Sequence, residues 1–472
     1  MCCWVPKPKF QLAKKERTSR KNPTRLKMAL RSPLRPYLHR PSPCVKIRAG
    51  VGGRISAVVG AGTRRKKRAD MATLGNLCVD IVLSVPTLPP AGREERERYM
   101  DTLASSAPDK KFWEAGGNCN LVIAASRLGL RVITLGHVGN DIYGHFLLDV
   151  LQDEGIKMVG MNEKSEAANY GASYETLLCW VLVDPFQNHG FCSRADFSHE
   201  PAFSWVTRLS EPIKMAIQES KILFCNGYVF DELPPDLINS ALHCAIDAGT
   251  TVFFDPGPRG RTLLNGTSGQ QRVLEMFLRL SNVLLLTSDE AESLTGIRNP
   301  ILAGQDLIRK GVNTKWVIIK MGSRGSVLIT KSGISCAPAF KVNVADTVGC
   351  GDSFTAAIAF GFLHEMPEVD TLALANAVGA ATATGVGAGR NVANLDTVLE
   401  LLRLSNINED TEYWRELIEE NLEVPEMIRL LSKSSAKKSS DRLVHIPIQT
   451  VVSQLLPKLE AEAVRGRSVL QS

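Results

Sequence analysis

From residue 221 onward, short apolar runs alternate with helical patterns, and no other feature of the chain constrains its fold as much. Ile222-Leu223-Phe224-Cys225, Thr251-Val252-Phe253-Phe254, Val283-Leu284-Leu285-Leu286 and Trp316-Val317-Ile318-Ile319 lack the polar alternate positions of a half-exposed strand. They predict strands buried on both faces. Pro235 to Ala248, Gln270 to Arg279 and Ser288 to Leu294 carry helical spacing between them. Gly325 to Thr330 reads as one more strand. The alternation predicts an α/β fold in three layers, with helices on both faces of a mostly parallel sheet. Ligands of such sheets sit beyond the carboxyl ends of the strands. The turns after each strand are therefore where function is expected. Upstream, ordered patterning begins at Met71, with strands on either side of the turn Gly75-Asn76. A helix is expected over Leu121 to Leu128, a strand over Val132 to Leu135, a helix over Asp141 to Glu154 and a strand over Thr176 to Val183.

The chain has 472 residues, enough for one large domain with extensions. Its 44% hydrophobic and 22% charged residues suit a soluble globular protein, and no apolar run is long enough to span a bilayer. Eleven cysteines without a Cys-x-x-Cys pair point to free thiols in a reducing compartment. The net charge of +7 hides an asymmetry. Residues 1–70 hold 20 Lys/Arg against 2 acids, while the remainder holds 36 against 47. A basic, acid-poor arm reads as a transit peptide, with the chloroplast as destination and mitochondrion or cytoplasm as alternatives. Nuclear targeting through Arg64-Arg65-Lys66-Lys67-Arg68 is the rival reading, and Met28 is a second candidate start. The acidic remainder is not expected to bind nucleic acid or membrane. Residues 405–472 are polar and helix-prone, are interrupted by Pro425, Pro447 and Pro457, and contain a low-complexity stretch at 433–440. They are expected to form an extension beyond a main domain of residues 71–404.

The chemistry is concentrated in Asp346-Thr347-Val348-Gly349-Cys350-Gly351-Asp352, which runs into a small-residue helix. Its glycines allow a tight turn and close approach of backbone to ligand. The N–H groups of the helix start then suit an anion. A carboxylate beside an anion site needs a reason. Asp352 is either a general base for a hydroxyl attacking phosphorus or a helix N-cap. No Gly-x-x-x-x-Gly-Lys-Ser/Thr loop is present, so the phosphate grip is not that of P-loop enzymes.

These features together resemble the ribokinase-like, or PfkB-type, carbohydrate kinases over roughly residues 71–404, including members from plant organelles. The heptapeptide resembles the family's C-terminal signature, with Cys350 in a position usually held by alanine. The resemblance implies ATP and Mg²⁺ as cofactors. It makes Asp352 the base, with the amides of Gly349, Cys350 and Gly351 stabilising the transferred phosphoryl group. Ala115-Gly116-Gly117-Asn118-Cys119-Asn120 resembles the N-terminal signature. It implies that Gly116, Gly117 and Asn120, with Asp80, hold a sugar or nucleoside. Thr287-Ser288-Asp289-Glu290 aligns with an Asn-x-x-Glu segment. There Glu290 would organise Mg²⁺ through water, and Thr287 replaces the asparagine. Asp255-Pro256-Gly257-Pro258-Arg259 resembles an Asp-Pro-Asn-x-Arg turn near the phosphates. Gly322 and Gly325 fall in the turn expected under the nucleotide, and Thr347 is assigned to the nucleotide as well. Residues 383–389 fall where a monovalent cation such as K⁺ is expected. A small β-lid is implied near 93–112 and 176–200. Its free edges would pair subunits into a homodimer, and Trp113, Tyr170, Trp180 and Phe186 are candidates to stack on a ring. In some plastid relatives the fold serves as a non-catalytic assembly subunit, and such relatives tend to lose the glycines or the base.

Overall fold

The computed structural model describes residues 66–469 apart from 91, 106–107, 162–174, 187, 199, 420–426 and 434–441. Most of the basic arm, most of the low-complexity stretch and Tyr170 lie outside the described residues. In chain order the first strands are β1 (Ala69–Leu74), β2 (Leu77–Ser84), β3 (Trp113–Gly117), β4 (Val132–Gly136) and β5 (Lys157–Gly160). Next come β6 (Leu177–Val183), β7 (His189–Ser193), β8 (Ser220–Asn226), β9 (Thr251–Asp255) and β10 (Val283–Thr287). The last are β11 (Trp316–Lys320), β12 (Ser326–Ile329), β13 (Gly333–Ala337), β14 (Met427–Ser432) and β15 (Leu443–Pro447).

Eleven of these form one sheet in the order β15-β14-β13-β12-β11-β10-β9-β8-β1-β4-β5. Only β12 runs against its neighbours in it. The runs read as fully buried are so: Ile222, Leu223, Phe253, Phe254, Leu284, Leu285, Ile318 and Ile319 are all about 0% exposed. Residues of alternate parity feed two apolar clusters, one on each face of the sheet. The helix Cys350–Leu363 is apolar nearly all round because it is enclosed, packed against the helices Glu368–Thr382 and Asn118–Arg127. Strand β1 pairs with β4 on one side and β8 on the other, so the order reverses at β1. That reversal opens a crevice at the carboxyl edge.

A second sheet, β3-β2-β6-β7, stands apart as the lid. It differs from expectation in two ways. Residues 93–112 contribute no strand: Arg93–Ala104 is a helix. Its Met100, Tyr99 and Leu103 join Trp113, Trp180 and Leu182 in one apolar cluster. Arg96 donates to the β7 carbonyl of Phe191, and Arg93 to that of Phe197. A helix of this same chain thus contacts the lid at β7. Two lid strands, β2 and β3, instead carry the N-terminal signature and Asp80.

The region 405–472 is also no appendage. β14 pairs parallel to β13, with Ile428 opposite Ile334, and β15 pairs with β14. Trp414, Leu431, Ile448, Val451 and Leu455 are buried to within about 1%. The helix Ile448–Val469 packs on the helices Glu368–Thr382 and Leu395–Leu404. Among the described residues no helix is long and apolar enough to cross a membrane.

Candidate active site

Five strand ends supply the floor of the crevice. β1 ends at the turn Gly75-Asn76, and β8 at Asn226. The Asn118 amide joins the two: its Nδ2 donates to Gly75 O at 2.7 Å, and its Oδ1 accepts from Asn226 Nδ2 at 2.9 Å. β9 ends at Asp255 and β11 at Lys320, whose Nζ donates to Asp255 Oδ2 at 2.7 Å. The other Asp255 oxygen accepts from the N–H of Gly257 at 3.0 Å. Arg259, in the same turn, pairs with Asp231 and with Asp196 at the foot of the lid.

β10 ends at Thr287, which opens a helix. Thr287 and Glu290 bond each other. The Thr287 N–H donates to Glu290 Oε2 at 2.7 Å, and the Glu290 N–H donates to Thr287 Oγ1 at 3.3 Å. This is a capping box on the helix Ser288–Thr295. The Thr287 hydroxyl oxygen thereby accepts at the helix start, and the box does not use its own O–H. Glu290 keeps one carboxylate oxygen beyond the cap. Burial and the nearby Asp255 raise its pKa, while Lys320 pulls it back.

Above this floor lies the heptapeptide. Gly349, at φ +77°, is the N-cap residue of the helix Cys350–Leu363, a conformation that favours glycine. Asp352 sits in the first turn and does not cap. Its Oδ2 accepts instead from Asn120 Nδ2 at 3.1 Å. Burial raises the Asp352 pKa above the ordinary carboxylate range; Asn120 and Lys320 oppose the rise and Asp255 adds to it. Asn120, expected at the substrate, also makes contacts within the protein. Both ends of its amide are engaged within the protein, because Oδ1 accepts from the N–H of Gly389 at 2.7 Å. Asn120 holds Asp352 in place.

Asp80 faces the crevice from the lid. It is 0% exposed, and its Oδ2 has no partner among the described residues. Cys78 Sγ lies 3.5 Å from Oδ1. Burial, with Asp352 and Glu114 nearby, pushes its pKa up to about 7. A buried carboxyl with an unpartnered oxygen is suited to meet a polar ligand. It fits only because residue 116, across the strand pair, has no side chain: a Cβ there would lie 2.1 Å from Asp80 Oδ1. A Cβ on Gly117 would meet Asn76 O at 2.2 Å.

Asp346 begins the heptapeptide and joins three segments. Oδ1 accepts from the Val348 N–H at 3.0 Å, Oδ2 accepts from the Gly387 N–H at 2.7 Å, and His189 Nε2 of β7 lies 2.6 Å from Oδ1. These donors hold its pKa below the usual carboxylate range despite burial. Asp346 is thus faced by N–H groups, one of them from the 383–389 loop. Thr347 accepts through its carbonyl from the Cys350 N–H at 3.3 Å. Gly322 and Gly325 form the β11–β12 turn with φ +58° and +111°. Trp113 packs on Tyr143 with centroids 4.5 Å apart, Trp180 is buried, and Phe186 is 84% exposed.

Several members of this site were not singled out from sequence: Lys320, Asn118, Asn226, His189 and the buried acid Glu232, which accepts from the Asn76 N–H at 2.7 Å. A lysine closing an apolar strand was the one visible signal, since it ends Trp316-Val317-Ile318-Ile319.

Known proteins are similar to this chain in sequence and fold. The family profile described as pfkB family carbohydrate kinase matches residues 95–394. Fructokinase-1 of Zea mays is 26% identical over 328 residues, spanning 65% of this chain and 94% of the relative. A fructokinase of Xylella fastidiosa, solved with bound ATP, superposes with a TM-score of 0.53 at 21% identity, over 71% of this chain and 98% of that one. An Escherichia coli protein assigned as ribokinase II, solved with ATP and Mg²⁺, gives 0.54 at 17% identity, over 71% and 99%. At such identities the solved structures establish the ribokinase-like fold. The chain belongs to the pfkB family and is an ATP-dependent carbohydrate kinase.

Proposed function

We propose that the protein transfers the γ-phosphoryl group of ATP to a hydroxyl of a small sugar, with Asp352 as general base. The observation that carries this reading is the Asp352 carboxyl. It lies in the first turn of a glycine-capped helix, held by Asn120, within electrostatic reach of Asp80 on the lid. A base suits such a position, because a raised pKa strengthens its pull on a hydroxyl proton. In the proposed step that proton passes to the Asp352 carboxylate as the hydroxyl oxygen bonds phosphorus and ADP leaves. The free Asp80 oxygen orients the sugar. The helix-start amides of Gly349, Cys350 and Gly351 supply fixed positive dipole to the developing charge.

Mg²⁺, when bound, neutralises phosphate charge. Among the described residues no three His, Cys, Asp or Glu side chains meet as a direct cage. Glu290 and Asp255 would hold the ion through water, which suits a cation that keeps much of its hydration. Lys320 stands beside them as a fixed charge. The fructokinases of maize and Xylella make fructose the first sugar to test.

The test is Asp352→Asn. Turnover of sugar to sugar phosphate is expected to fall by roughly 10²- to 10⁴-fold. Stabilisation against heat by an ATP analogue should persist, because the variant leaves the nucleotide's contacts alone. Turnover unchanged in that variant would remove Asp352 from the mechanism.

A further inference from the structure

We propose that His189 is a positioning residue: the lid, through His189 and Asp346, sets the catalytic base. The inference rests on the kinase reading above. His189 Nε2 lies 2.6 Å from Asp346 Oδ1, with the two side chains only 6% and 3% exposed. A buried carboxylate must be compensated by donors. Asp346 takes N–H donors from its own turn through Val348 and from the loop through Gly387, and meets the lid through its close contact with the His189 ring nitrogen. Two residues further along that loop, the Gly389 N–H donates to Asn120 Oδ1, and Asn120 Nδ2 donates to Asp352. Polar contacts joined through the backbone of residues 387–389 therefore connect β7 to the base.

The same lid face holds the substrate carboxyl. Asp80 and Val82 are two residues apart on β2, and Val82 pairs across to Val181, which pairs to Phe191 on β7. Val82, Val181 and Phe191 pack on Val348 and Ala388. Apolar packing of this kind brings the lid down but has little directional preference. The His189 contact supplies direction, since it is met only at one separation of lid and heptapeptide. Lid closure then brings the sugar-holding carboxyl, the exclusion of water and the alignment of Asp352 together.

Two full-length variants separate this role from packing. His189→Leu keeps apolar bulk and removes the polar contact, whereas His189→Gln keeps a polar nitrogen. For His189→Leu, kcat is expected to fall roughly 10- to 100-fold, as for a small misplacement of a catalytic group. The fraction of ATP lost to water should rise, and KM for ATP should hold. His189→Gln should recover a substantial part of kcat. Equal kcat in His189→Leu and the unaltered protein overturns the proposal, as does equal loss in both variants. A readout independent of turnover is amide exchange at Val348 and Gly387, which should quicken in His189→Leu. Unchanged exchange also overturns it. If the unaltered protein phosphorylates no sugar yet its exchange responds to His189→Leu, the kinase reading has failed and the latch stands.

Discussion

At the scale of single residues, an absent side chain decides where a carboxyl can go. Asp80 lies against Gly116 across the β2–β3 pair, where Cys78 is the registered partner of Gly116 and Glu114 that of Asp80. An alanine Cβ would sit 2.1 Å from Asp80 Oδ1, well inside contact distance, and backbone pairing on both sides prevents the strand from yielding. The carboxyl has to turn away. Gly116→Ala is expected to raise the sugar KM by roughly 10- to 100-fold, the worth of a hydrogen bond to a charged group. Heat stabilisation by an ATP analogue should be unaffected, since the strand ends that form the nucleotide side lie on the other sheet. A sugar KM that does not move would mean that Asp80 does not hold the sugar. Asn120 shows the opposite case, a residue whose type is legible and whose job is not. Its two partners lie 232 and 269 positions away in sequence, so no local pattern could reveal that it braces a base.

Elements were legible in proportion to how local their cause is. Strands β8 to β11 showed in the sequence because burial on both faces leaves no polar alternation. The Thr287-Glu290 box was spelled out by its four-residue spacing, although its letters also match a metal-binding segment. β14 was illegible. It carries an exposed Met427 and a half-buried Arg429, and its partner β13 lies about ninety positions upstream. Periodicity carries no information about such a partner. The helix Ile448–Val469 was obscured by Pro457, which reads as a break yet lies inside the helix. This helix closes the sheet's end, and Leu455 is 1% exposed within the larger apolar cluster. Leu455→Ala should cost about 2–5 kcal/mol in denaturant unfolding, the range for a cavity in a packed core. A loss below about 0.5 kcal/mol, as for a surface change, would show that the C-terminal region is not integral to the domain.

For the molecule as a whole, the crevice gathers acids that burial keeps from ionising freely. Glu232 is pushed up to about 8, Asp80 to about 7 and Asp231 to about 6, in each case chiefly by burial. Unfolding returns them to about 4. Between those limits the folded state holds more protons than the unfolded one, so raising the pH favours unfolding. Asp346, Asp70 and Asp141 are shifted the other way by their donors, and their contribution is present above the ordinary carboxylate pKa and lost as the pH falls below it. The ligand-free protein should therefore melt highest in mildly acidic solution and lose stability toward pH 8. Each raised group contributes at most about 1.4 kcal/mol per pH unit to that slope. Glu232 is the group to change. It is 4% exposed, its carboxyl accepts the Asn76 N–H that shapes the turn after β1, and an amide oxygen can accept the same bond. Glu232→Gln should melt close to the unaltered protein near pH 5. By pH 8 it should melt above it, because it has no carboxyl to ionise in the interior. Melting curves that run parallel from pH 5 to 8 would show that Glu232 is already ionised in the fold, and that the turn beneath the sugar site tolerates a buried charge.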